Sequence, residues 1–210
     1  MPGLDDWLSV ARSAKPDDLR ERILSGYKSG KPFTPYVPTI ELPSPIDWLL
    51  DFGCGVGRSF PYLKTIARHV AGFDLPPMIE RCRTLATEPI DLLVDDWNEV
   101  RPRRFDVIVA ALVLQHIEPA TCRSYLADFA RMAPATYVLT RVEDDFGTNV
   151  LDLIAETGLF DAEECVEVDH DPQTNQLQIL GRSRFDDARR CAGARHCEFL
   201  LRSRTVTSGA

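Results

Sequence analysis

Short apolar runs separated by amphipathic stretches recur from residue 46 onward. Trp48-Leu49-Leu50-Asp51, His69-Val70-Ala71-Gly72-Phe73-Asp74, Ile90-Asp91-Leu92-Leu93-Val94, Phe105-Asp106-Val107-Ile108-Val109-Ala110 and Ala135-Thr136-Tyr137-Val138-Leu139-Thr140 each have the length and apolar content of a buried strand. The segments between them read as helices. Ser59 to Arg68 places Leu63, Ile66 and Ala67 on one face, and Pro61 is tolerable only in its first turn. Pro76 to Leu85 opens on two prolines, which suit a helix start. Pro119 to Met132 repeats Cys122, Tyr125, Leu126 and Phe129 at i, i+3, i+4 and i+7. Asn149 to Thr157 is a further helix, closed by Gly158. Strand and helix in alternation predict an α/β fold with a parallel sheet.

The ends of the chain follow other patterns. Leu4, Trp7, Leu8 and Ala11 repeat at helical spacing, and a second helix begins at Pro16-Asp17-Asp18 and stops at Gly26. Tyr27 to Pro45 carries prolines at 32, 35, 38, 43 and 45 and should be extended. Its aromatics, Tyr27, Phe33 and Tyr36, fit either a cap over a pocket or a linker covering the sheet. Cys165 to Val168 and Leu177 to Leu180 flank Asp171-Pro172-Gln173-Thr174-Asn175, the composition of a hairpin turn. From 182 to 204 the chain holds seven arginines against three acids, read as a solvated extension or as a patch for an anionic partner.

One stretch carries candidate chemistry. The first strand ends in an acid, Asp51, and leads through Phe52 into Gly53-Cys54-Gly55-Val56-Gly57-Arg58, with glycine at every second position. Such a turn lets backbone approach a ligand where a Cβ would collide, and several nucleotide-binding folds use one. A dinucleotide fingerprint would place its third glycine where Arg58 stands, and no Walker-type Gly-Lys-Ser/Thr run exists. The second strand ends at Asp74, 17 residues past Gly57, and the third leads into Asp95-Asp96-Trp97. An acid at the end of the second strand of such a unit can accept hydrogen bonds from ribose hydroxyls.

These landmarks, in this order from about Trp48 to Ile117, resemble the class I S-adenosylmethionine-dependent methyltransferases. The resemblance implies a doubly wound, seven-stranded sheet, mostly parallel and ending in an antiparallel hairpin, with the cofactor S-adenosylmethionine across the carboxyl ends of the first three strands. It implies that Asp51 and the Gly53, Cys54, Gly55 and Gly57 loop hold the methionine end. Asp74 would take the ribose, with Leu75 beside the nucleoside; Asp95 or Asp96 would take the adenine amine, with Trp97 covering the ring. Leu112 and His116 stand in the family's segment after the fourth strand. His116 is the candidate catalytic base or a pocket-lining residue, and Arg141 and Glu143 are candidate substrate contacts or a surface ion pair.

Size and charge narrow the function. At 210 residues with 44% apolar content, one α/β domain is expected, at 46–184, between a cap segment at 1–45 and the Arg-rich extension at 185–210. A net charge of −8 argues against a nucleic-acid surface. No apolar run approaches the ~20 residues of a membrane span, and the acidic start Met1 to Asp6 is unlike a secretory signal, so a cytoplasmic protein is expected. Cys191, His196 and Cys197 do not have zinc-site spacing, and no metal is expected. The Asn/Asp-Pro-Pro-Tyr/Phe motif of DNA and protein-glutamine amino methylases is replaced by Ala110-Ala111-Leu112-Val113. The expected acceptor is therefore a small molecule, methylated on oxygen or nitrogen; a protein, glycan or nucleic-acid acceptor, or a non-catalytic binding protein, is the alternative.

Overall fold

Buried on both faces, the central strands use their continuous apolar runs to separate two layers of helix. The computed structural model describes residues 7–9, 12, 35–85, 88–142, 149–171, 173–174, 176–190 and 195–205. Along the chain come β1 (Ile46–Phe52), α1 (Phe60–Ile66), β2 (Ala67–Phe73), α2 (Pro76–Leu85), β3 (Leu92–Val94), α3 (Trp97–Val100) and β4 (Val107–Ala111). A 3₁₀ turn (Leu114–His116), α4 (Pro119–Met132), β5 (Ala135–Val142), α5 (Val150–Thr157) and β6 (Phe160–Asp161) follow. The chain ends with β7 (Glu164–His170), β8 (Leu177–Arg184), α6 (Phe185–Arg190) and β9 (Arg195–Ser203).

Strand order is β3-β2-β1-β4-β5-β9-β7-β8, with β6 paired to β9. The first five strands are parallel; β9 runs antiparallel to both β5 and β7. The order reverses at β1, between β2 and β4, so the ends of these strands form the crevice where open α/β sheets take ligands. The fold is the expected α/β class, with antiparallel strands added to a mostly parallel sheet.

Helix boundaries follow local chemistry. Glu118 caps α4, its carboxylate accepting from Ala120 N at 3.0 Å and Thr121 N at 3.0 Å, with Pro119 harmless in the first turn. Asn149 caps α5, and Gly158 ends it at φ 62° in the left-handed region. On one side of the sheet Phe52, Phe73, Trp97, Tyr125 and Phe129 pack in edge-to-face and stacked pairs, with centroids 4.8 Å apart for Phe52–Tyr125, edge to face, and 5.3 Å for Phe52–Phe73, stacked. On the other side α1 and α2 pack with Tyr36, Ile40 and Leu42 from the segment before β1.

Among the described residues the sheet has nine strands rather than seven. The expected hairpin forms, with Asp171 Oδ1 closing its turn on Gln173 N and Thr174 N. Residues 195–203, however, assigned from the sequence to an extension beyond the sheet, insert as β9 between β5 and β7, and β8 becomes the edge. Cys197, Phe199 and Leu201 fill the core on one face of β9, while Glu198 is buried on the other. A charged residue inside the strand masks its alternation. The arginines around it end at the surface, Arg182 paired with Glu164 at 2.7 Å and Arg204 with Asp161 at 2.6 Å. Of the expected N-terminal helices, Trp7–Ser9 and Arg12 are helical and the remainder lies outside the described residues.

Candidate active site

The turn after β1 is anchored to the end of β2: Gly53 N and Cys54 N both donate to Phe73 O, at 2.8 and 3.1 Å. Gly53, Gly55 and Gly57 have φ of 77°, 57° and 82°, conformations that side-chain-bearing residues adopt at a cost. A Cβ on Gly53 would lie 2.5 Å from Val113 Cγ2, so this position also needs glycine for lack of room. The residue beyond β4 closes against it: Leu112 holds a positive φ of 56°, and its N–H donates to Leu139 O at 2.7 Å. A non-glycine residue in that region stores backbone strain at the rim of the crevice.

Two acids meet at this turn. Asp51 is 4% exposed, and its carboxyl is pushed up to about 7, first by burial and then by the charge of Asp74. Asp74 accepts from Gly55 N through Oδ2 at 2.7 Å and from Leu75 N through Oδ1 at 2.7 Å. Burial raises it to about 6 against the opposing pull of those two bonds. Cys54 is no nucleophile: a bond to Cys82, then burial, then the two acids hold its thiol well above the ordinary range. A buried carboxylate and a half-buried one beside upturned glycine backbone fit a ligand that carries both positive charge and hydroxyl donors, the combination of a sulfonium amino acid and a ribose.

The other sequence-derived residues divide. Leu75 and Leu112 are half-buried beside the turn. Asp95 and Asp96 are exposed, and Asp96 caps α3 by accepting from Asn98 N at 2.9 Å. Trp97 turns its ring into the aromatic cluster and donates from Nε1 to Asp128 Oδ2 at 2.7 Å. His116 ends the 3₁₀ turn beyond β4, half-buried, its ring 5.5 Å from Trp7 in an edge contact. Its Nε2 lies 3.5 Å from Gln115 Nε2, and Gln115 Oε1 accepts from Thr140 Oγ1 at 3.1 Å. Arg141 is exposed at the end of β5; Glu143, Tyr27, Phe33 and Cys191 lie outside the described residues.

Sequence reasoning offered Tyr36 as an aromatic of a cap or linker but missed the side chain it meets above the turn. Arg58, read only as a misplaced third glycine, is 4% exposed, with its Cζ 3.7 Å from the centroid of the Tyr36 ring. Burial lowers the pKa of this guanidinium, and Tyr36 opposes the shift. Tyr36 in turn meets His170 at 5.5 Å, and His170 meets His196 at 5.2 Å. The signal was an arginine directly after a glycine turn together with an aromatic in a proline-ordered segment, too distant in sequence for either to reveal the other.

The comparisons with known proteins bear on the domain and the fold. Residues 49–134 match the family model described as a methyltransferase domain. Among solved structures, the N-methyltransferase NodS from Bradyrhizobium japonicum WM9, in complex with S-adenosyl-L-homocysteine, superposes with a TM-score of 0.50 at 19% identity, over 76% of this chain and 79% of that one. A Thermoplasma acidophilum protein gives 0.52 at 16% identity, over 77% and 80%. A structure solved for the conversion of a disulfide bond into a thioacetal group during echinomycin biosynthesis gives 0.51 at 17% identity, over 90% and 94%. No curated protein matches the chain. At such identities the structural likeness establishes the fold, and the match of residues 49–134 to the methyltransferase-domain model supports S-adenosylmethionine-dependent methyl transfer.

Proposed function

We propose that the protein transfers a methyl group from S-adenosylmethionine to an oxygen or nitrogen of a small-molecule acceptor. The observation that carries this is the pairing of Asp51 and Asp74 across a turn of three glycines with positive φ, at the reversal point of the sheet. When bound, the cofactor supplies a sulfonium-activated methyl, which passes to the acceptor's lone pair as the carbon–sulfur bond breaks, leaving S-adenosylhomocysteine.

In this reading the chain binds, orients and removes a proton. Asp51 faces the cationic methionine end, and Gly53, Cys54, Gly55 and Gly57 bring backbone close to it. Each oxygen of Asp74 accepts one backbone N–H and keeps a lone pair for a ribose hydroxyl. Asp95 or Asp96 takes the adenine amine, Leu75 and Leu112 give apolar sides, and Trp97 acts through the aromatic floor it belongs to. An acceptor hydroxyl or ammonium must lose a proton on methylation. His116 is the group to take it, an imidazole beyond β4 near the strand ends. Its orientation is steadied by the edge contact with Trp7 and by the neighbouring Gln115–Thr140 bond. Single helices join β1 to β2 and β2 to β3, which supports a small acceptor entering from the strand ends.

Calorimetry with S-adenosylmethionine and with NAD tests the reading. S-adenosylmethionine is expected to bind and NAD not to, since Arg58 fills the place of the third glycine of a dinucleotide site. Tight NAD binding without an S-adenosylmethionine signal would overturn it.

A further inference from the structure

Glu198 lies in the middle of β9 and is 0% exposed, the deepest acid among the described residues. A carboxylate so placed is costly unless its oxygens are satisfied. Here they are: Thr39 N donates to Oε2 at 3.0 Å, Thr39 Oγ1 donates to the same oxygen, and Tyr137 Oη donates to Oε1 at 2.7 Å. Burial raises the pKa of Glu198, and the bonds from Thr39 and Tyr137 oppose the rise. Both of its oxygens are engaged, and one of the two donor residues, Thr39, belongs to the segment ahead of β1, 159 positions away. A leucine in this place would fill the core without holding that segment.

The held segment reaches the cofactor turn. Three residues before Thr39, the Tyr36 ring lies against the guanidinium of Arg58, the residue that follows Gly57. Beyond Tyr36 the contacts return to β9 through His170 and His196, two positions from Glu198. The short stretch from Tyr36 to Thr39 is therefore tied to β9 directly at Thr39 and by way of His170 on β7 at Tyr36, and its ring covers the Arg58 guanidinium that follows the glycine turn.

We propose that Glu198 is a positioning residue for the cofactor turn, acting through Thr39 and Tyr36 on Arg58. The inference rests on the reading that this turn holds S-adenosylmethionine or S-adenosylhomocysteine. Glu198 touches neither; it sets how firmly the Gly53–Arg58 backbone is held closed.

The test measures S-adenosylhomocysteine affinity and dissociation rate, with thermal melting, for the whole chain and for E198A, E198Q, T39V, Y36A and the E198A/Y36A double variant. E198A and Y36A should each weaken binding about tenfold, within the range of typical coupling between sites, through faster dissociation. The double variant should be no weaker than either single one, because both remove the same brace. E198Q should recover most of the affinity, since its amide oxygen can accept from Thr39 and the Tyr137 hydroxyl can rotate to accept from its amide nitrogen. L201A, on the opposite face of β9, should lower the melting temperature without changing affinity. If E198A fails to fold, Y36A and E198Q carry the comparison. Wild-type dissociation in Y36A, or additive losses in the double variant, would overturn the proposal. A wild-type chain that binds neither S-adenosylmethionine nor S-adenosylhomocysteine would overturn the function on which it rests.

Discussion

Cofactor affinity should climb with pH between 5 and 7.5 while the ligand-free fold loses stability over the same range. Asp51 and Asp74 have carboxyls raised to about 7 and about 6 from an ordinary 3.8. Raised folded-state values mean that the folded chain holds protons the unfolded chain has released. As pH rises from about 4 to about 7 these two groups therefore subtract from stability, and the melting temperature of the free protein should fall. A cationic ligand needs the ionised acids and reverses the preference. With a pKa of about 7, Asp51 is about 1% ionised at pH 5 and about three-quarters ionised at pH 7.5, a ratio of ~75, or ~2.5 kcal/mol of binding free energy. Asp74 adds to this, though not independently, because its charge is part of what raises Asp51. Calorimetric titration of S-adenosylmethionine at half-unit steps, with melting curves of the free protein alongside, measures both trends. D51N should flatten most of the affinity slope. An affinity that stays level from pH 5 to 7.5 in the wild type would refute the claim that these carboxylates face the cation.

Two substitutions separate the turn from the chemistry. G53A should destabilise the fold by ~1–3 kcal/mol in chemical denaturation, since its Cβ must displace Val113 and its φ of 77° is unfavourable for alanine; unchanged stability would mean that the turn relaxes freely. H116A should lower kcat by ~10²–10⁴ with unchanged cofactor affinity if the imidazole takes the acceptor's proton; unchanged kcat would leave His116 as a pocket wall.

Elements whose signals are local were legible in the chain. The glycine turn, the acids at the ends of β1 and β2, and helices α2 and α4 with their prolines at the start all stand where short-range chemistry put them. The edge of the sheet was not, because β9 is recognisable only as a partner for β5 and β7. Its sequence, Arg195-His196-Cys197-Glu198-Phe199-Leu200-Leu201-Arg202-Ser203, has arginines at both ends and an acid in the middle, which read as a solvated segment. Three apolar side chains on one face and a fully bonded glutamate on the other make it a core strand. Strand pairing of this kind rewards contacts far apart in sequence, which no window of residues contains.

The same division runs through the site. Residues contributed by one strand end and its turn could be brought together from chain order, as for Asp51, Gly55 and Asp74, because the β1-turn-β2 geometry dictates their meeting. Trp97 shows where chain order stops being sufficient. Its place after β3 suggests a flat face for adenine, yet an indole with a buried N–H goes where that donor is satisfied, and Asp128 on α4 draws it into the aromatic floor. Arg58 shows the converse. A guanidinium directly after a glycine turn reads as solvent-facing until a ring from the pre-β1 segment is placed against it, and that placement depends on a glutamate near the other end of the chain. The local turn defines what can bind, while residues 36–39 and 198, joined only by folding, decide how rigidly it is presented. Preorganisation of that kind is the part of a binding site a linear reading reaches last, because each member is ordinary by itself and acts only through the others.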